Sequence, residues 1–242
     1  MKIGIFGDSY ADPISKNSTP TWIDILNQRP NIHSSSYAVS GSNMYYSVEQ
    51  FKKMHKKHDR NIFLVTGPER IWARRIDFMD VRHSFIPGND TIEHLIEFYK
   101  NCKEPERTYF LKILEALRIY FTFIRDYEYE VYLQKLMIQD LLSIDKNLIL
   151  LPCFKESIPY IPFDVNGCLF DVFEKENLSW GIDYNIQYQI DRRNCHMTAE
   201  NNKILAEKII AYIEQGKEID LNINDFISPN LESKDFYIKE QK

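Results

Sequence analysis

Ile3-Gly4-Ile5-Phe6-Gly7-Asp8-Ser9-Tyr10-Ala11-Asp12 is the stretch whose reading decides the fold. Ile3 to Phe6 is a short apolar run of the kind that forms a buried strand. It stops at Gly7, which turns without a Cβ clash, and a polar turn carrying Ser9 follows. Open α/β sheets bind ligands outside the carboxyl ends of their strands. The backbone N–H groups of such a turn can face an anion or a developing oxyanion. Ser9 is therefore a candidate nucleophile. The competing reading is a loop serine that caps the next helix.

Outward from this turn the pattern repeats. Pro20 or Thr21 starts a short helix with Trp22, Ile25 and Leu26 on one side. Asn31 to Val39 reads as a second strand and ends in Ser40-Gly41-Ser42-Asn43. Met44 to Lys57 has helical spacing, and Asn61 to Thr66 is the clearest strand in the chain, closed by Gly67-Pro68-Glu69-Arg70. Alternating strands and helices predict βαβ units on a mostly parallel sheet, with the three glycine turns along one edge. The expected class is α/β, a three-layer α/β/α sandwich of flavodoxin-like type.

Ile71 to about Asp145 interrupts the alternation. It predicts a helix at 89–100 and two more within 104–143, bent around 126–130. It is expected to be a helical insertion at 71–145 within an α/β domain spanning 1–216. Its candidate roles are a cap on the sheet, a lid, a substrate-groove wall, or a face for homo-oligomer contacts. Asn147 to Leu151 resumes the strand pattern. Thr198 caps a helix through Glu214, which Gly216 ends. The tail at 217–242 is mostly polar. Within it Ile219, Leu221 and Ile223 alternate as a short edge strand would.

The 242 residues, 44% hydrophobic, suffice for one large core, and the formal net charge of -5 gives no global attraction to nucleic acid. The four cysteines contain no C-x-x-C pair, so no zinc site is expected and the thiols are read as free. No metal or other cofactor is expected, and no apolar run reaches membrane-spanning length. Met1-Lys2 leads directly into a strand, without the apolar core of a signal peptide, and the expected location is the cytoplasm.

A serine nucleophile needs a base, and the base an orienting group. Of six histidines, His196 alone stands just before the last sheet-packing helix, on a loop able to face the Ser9 edge. At this point the chain resembles the SGNH (GDSL-type) hydrolases, a family of serine esterases and lipases. The resemblance is carried by Gly7-Asp8-Ser9, Trp22 and Leu26, Ser40-Gly41, Gly67, and His196-Met197-Thr198. It covers roughly residues 1–70 and 146–215, and is also similar to uncharacterised phage and bacterial sequences.

The resemblance implies Ser9 as nucleophile and His196 as its base. It implies the backbone N–H groups of Ser9 and Gly41 as oxyanion donors. Two positions depart from the family pattern. Its third turn usually reads Gly-x-Asn-Asp, whereas this chain has Gly67-Pro68-Glu69-Arg70, which leaves Arg70 and Asn43 as candidates for the third donor. Its acid usually lies three residues before the histidine, where this chain has Arg193; Asp191, five before, is the nearest acid upstream and the candidate orienting group, the alternatives being a Ser–His dyad or an imidazole held by a backbone carbonyl. The expected activity is hydrolysis of an acylated carbohydrate, lipid or small ester. The alternative is a binding or assembly protein on the same fold with an eroded site.

Overall fold

The computed structural model describes residues 1–12, 20–39, 41–68, 96–97, 100–101, 107–162, 166–172, 197–217 and 219–227. Four strands make one parallel sheet: β1 (Lys2–Phe6), β2 (His33–Ser36), β3 (Arg60–Val65) and β4 (Ile149–Pro152). Their order is β2-β1-β3-β4. Ile3 sits opposite Ser34 on one side and Arg60 on the other, and Ile62 opposite Ile149. The α/β class read from the sequence is the class observed.

The main helices among the described residues are α1 (Trp22–Asn27), α2 (Met44–Met54), α3 (Arg107–Ile119), α4 (Tyr127–Ile144) and α5 (Ala199–Gln215), and further helical residues stand at 96–97, 100–101 and 169–172. Right-handed crossovers decide which face each takes. The chain runs from β1 outward to β2, then returns past β1 to β3, so α1 and α2 fall on opposite faces. The step from β3 to β4 continues in the second direction, which puts α4 beside α2.

Strand alternation matches these layers. Ile3, Ile5, Ile62, Leu64, Ile149 and Leu151 share a core with Trp22, Leu26, Leu205 and Ile209. Phe6, Phe63, Val65 and Leu150 share the other with Phe51, Ile138 and Leu141. Because both faces are covered, β3 and β4 read as nearly unbroken apolar runs, whereas the edge strand β2, His33–Ser36, is polar.

Local chemistry sets the helix ends. Thr21 and Asp24 form a reciprocal capping box on α1. Asn43 caps α2, and Asp126 caps α4 after a π-helical turn at Tyr120–Ile124. Thr198 opens α5 and Gly216, with φ +67°, closes it. The break between α3 and α4 falls at the bend expected near 126. The last part of the expected insertion, α4, packs on the sheet as the crossover helix between β3 and β4. The helix expected at 89–100 lies mostly outside the described residues.

One expectation is corrected. Residues 219–222 carry no strand, and Ile223–Asp225 form a 3-10 turn. Asp220 Oδ1 accepts from the Asn222 N–H at 2.8 Å, and Asn222 Oδ1 from the Asn224 N–H at 3.0 Å. These side-chain turns compete successfully with strand pairing, while Leu221 and Phe226 are buried in the core. Among the described residues no helix is long and apolar enough to cross a membrane.

His58 gives a pH signature to this framework. Its imidazole lies against Gly4, where a Cβ would come within 2.7 Å of Nδ1, and edge-on to the Tyr37 ring at 5.5 Å. Burial holds its pKa below the ordinary value, although the Met54 carbonyl and Asp59 act the other way. The unfolded chain therefore takes up this proton first as pH falls below about 6.5, and the folded state loses stability. The Tm of the wild type is expected to fall relative to that of His58→Gln between pH 7 and pH 5. A constant difference in Tm across that range contradicts it.

Candidate active site

The strand order reverses direction at β1 and β3. Tyr10, after β1, is bonded to Trp22 of α1, while Thr66, after β3, is bonded to Gln134 of α4. Such a divergence opens a crevice at the carboxyl ends of the strands. Ser9 stands at its edge.

Gly7 makes the first turn. Its φ is +144°, and a Cβ there would lie 2.5 Å from Leu64 Cβ and 3.2 Å from the Leu64 carbonyl oxygen. The turn is thus pressed against β3. Asp8, fully buried, then caps a 3-10 turn at Ser9–Ala11, its Oδ1 accepting from the Tyr10 N–H at 3.2 Å. The Cys153 thiol donates to the same oxygen at 3.5 Å, tying the end of β4 to the turn. The capping role that competed for Ser9 therefore belongs to its neighbour. Ser9 itself is half-buried.

The second loop is fastened to the first through one carbonyl. Gly7 O accepts from the Val39 N–H at 3.2 Å, from Ser42 Oγ at 2.8 Å and from Ser47 Oγ at 3.3 Å. Gly41 turns the chain there with φ +73°. Asn43 is buried, and its Oδ1 accepts from the Tyr46 N–H at 2.9 Å. That bond fixes the amide orientation, so Nδ2 is the end that can donate elsewhere.

The third turn is held from the α4 side. Gln134 Nε2 donates to the Thr66 carbonyl, and the Cys153 N–H donates to Val65 O at 2.8 Å. Asn43, Gly67 and Pro68 border a cavity of about 610 Å³ whose far wall is α4.

Asp191, His196 and Arg70 lie outside the described residues. Met197, directly after the candidate base, is firmly anchored. Asn202 Nδ2 donates to the carbonyls of Met197 at 3.0 Å and Thr198 at 2.9 Å. Asn202 Oδ1 accepts from the Trp22 N–H at 3.0 Å, across 180 residues of sequence. Trp22 Nε1 donates in turn to the Tyr10 carbonyl at 2.8 Å. Met197, Trp22 and Tyr10 are buried in one core. The residue after position 196 is thus joined to the residue after Ser9 through two side chains.

Asp8 and Asn202, which hold the first turn and the start of α5, were missed by sequence reasoning. Asp8 had a signal, since aspartate is a strong cap at the start of a turn. Asn202 had none. Among the described residues no three His, Cys, Asp or Glu side chains gather at metal-binding distance. Cys153 and Cys168 are buried and form no disulfide, and burial pushes the Cys168 thiol up to about 12. It is not a thiolate nucleophile at neutral pH.

No family model matches the chain, and no curated protein matches it. Solved structures do. An acetyl xylan esterase, AlAXEase, is similar at 12% identity over 88% of this chain and 100% of that one, with a TM-score of 0.37. A catalytic mutant of an acetylxylan esterase from Geobacillus stearothermophilus is similar at 12% identity over 90% and 95%, with a TM-score of 0.34. A member of the lipolytic G-D-S-L family from Veillonella parvula DSM 2008 is similar at 9% identity over 62% and 56%, with a TM-score of 0.29. Likeness at this level matches no residue of one chain to a residue of another.

Proposed function

We propose that the chain is a serine hydrolase acting on an ester, with Ser9 as nucleophile and His196 as general base. The observation that carries this reading is the division of labour in the first turn. Asp8 supplies the cap, and a half-buried serine is presented at the crevice where the strand order reverses. The anchoring of Met197 toward Tyr10 through Asn202 and Trp22 supports a base arriving from the α5 side.

In this mechanism Ser9 Oγ attacks the ester carbonyl carbon as His196 takes its proton. The oxyanion is held by the N–H groups of Ser9 and Gly41. Of the two candidates for a third donor, Asn43 is favoured over Arg70, because its capping bond fixes the amide so that Nδ2 can donate. The intermediate collapses as His196 returns the proton to the departing alkoxide. Water, deprotonated by the same imidazole, then cleaves the acyl-enzyme and regenerates Ser9. Loss of one oxyanion donor typically costs about 10²–10³ in turnover.

Labelling with a fluorophosphonate probe tests the reading. A covalent adduct on Ser9, absent in Ser9→Ala, accompanied by turnover of p-nitrophenyl acetate, supports it. Absence of both favours the binding-protein alternative, which the Glu69 and Arg193 departures from the family pattern also favour. The acid is tested separately. Asp191 is proposed to orient the imidazole, so Asp191→Asn is expected to lower kcat well over tenfold, since a wrong tautomer is costly. An unchanged kcat removes Asp191 from the site.

A further inference from the structure

The cavity beside Asn43 and Gly67 has a wall that ordinary packing does not explain. Tyr129, Leu133 and Leu136 stand at i, i+4 and i+7 along one stripe of α4. All three line the cavity, and they are 58%, 38% and 42% exposed. On another side of the same helix, Ile138 and Leu141 are buried in the core. A helix apolar on two faces is ordinarily buried on both, but here the second face lines the cavity. Met44, Tyr45 and Met137 extend the apolar lining.

The charged groups at the edge are already matched. Arg125 holds Glu130 at 2.8 Å, and Lys52 holds Asp140 at 2.6 Å. No cationic side chain lines the cavity among the described residues. Among the described lining residues an anionic ligand would meet the carboxylates of Glu130 and Asp140. An uncharged hydrocarbon chain would cover Leu133, Leu136 and Met137. The cavity's 610 Å³ also lies in the range of ligand pockets. An acetyl group is about the size of three waters, roughly 90 Å³ at one water's share each.

We propose that this cavity holds an uncharged, medium-length hydrocarbon chain carried by the ester substrate, on its acyl or its alcohol side. The placement beside the reacting carbonyl rests on the hydrolase reading; binding in the cavity does not.

Two substrate series test it, both kept below their aggregation concentrations. In the first, p-nitrophenyl esters run from acetate to octanoate. In the second, alkyl acetates run from ethyl to octyl. The expected result is a rise in kcat/KM of about fourfold per buried methylene in one series, which identifies the side that enters the cavity. Leu133→Asp is expected to flatten that rise. A parallel measurement follows displacement of the uncharged dye Nile red by octyl acetate, with Leu133→Asp expected to abolish dye binding. Ser9-dependent turnover that is flat or falling along both series, with dye binding indifferent to Leu133→Asp, overturns the proposal. Absence of all turnover with Leu133-dependent displacement intact removes the hydrolase reading and keeps the cavity as a hydrocarbon site.

Discussion

Ser9→Ala is expected to lower kcat for p-nitrophenyl acetate by about 10⁴–10⁶-fold, the scale seen when a serine nucleophile is removed. His196→Ala is expected to cost a similar factor. The double variant should be scarcely worse than either, because the two groups act as one unit. The fold is expected to survive. The cap of the 3-10 turn is the Asp8 carboxylate, and the Gly7 carbonyl that fastens the second loop is untouched. Thermal unfolding and far-UV dichroism run on the same samples separate lost chemistry from lost structure. A Ser9→Ala protein that keeps activity within tenfold of the wild type places the nucleophile elsewhere.

Gly7→Ala is expected to have the largest effect on stability. A residue with a side chain held at φ +144° is strained by about 1–3 kcal/mol. The new methyl would also sit 2.5 Å from Leu64 Cβ and 3.2 Å from the Leu64 carbonyl oxygen, in the middle of a paired strand. Overpacking of this kind costs about 1–3 kcal/mol more. The two together are a large part of a typical stability of about 5–15 kcal/mol. Gly216→Ala is the control. Its φ is also positive, at +67°, but nothing lies within 4 Å of the added Cβ. Urea denaturation should therefore show a much lower midpoint for Gly7→Ala than for Gly216→Ala. Equal midpoints contradict the packing argument.

What could be read from the sequence follows from how local each cause is. β3 was legible because Ile62, Phe63, Leu64 and Val65 are all buried, two against each helical layer. The limits of α5 were legible because Thr198 and Gly216 act within one turn of themselves. The alternation of Ile219, Leu221 and Ile223 misled for a reason that lies elsewhere in the chain. Gly167 approaches Leu221 so closely that a Cβ would stand 2.5 Å from its carbonyl oxygen, and the Asx turns do the rest. At the site, Ser9 was marked by its place after a strand. The tether through Asn202 was invisible, because an asparagine inside a helix carries no periodic signal and its partner is 180 residues away.

The sheet's order also governs how the molecule is born. β3 lies between β1 and β4, yet roughly 80 residues separate Val65 from Ile149. At about 5–20 residues per second, the ribosome takes on the order of 4–16 s to deliver the missing neighbour. Through that interval the most apolar strand of the nascent chain has one flank of unsatisfied amides and carbonyls, a template for cross-pairing between polysome-bound copies. Late closure of this one gap makes expression yield sensitive to translation speed and to holdase chaperones, independently of how stable the finished protein is.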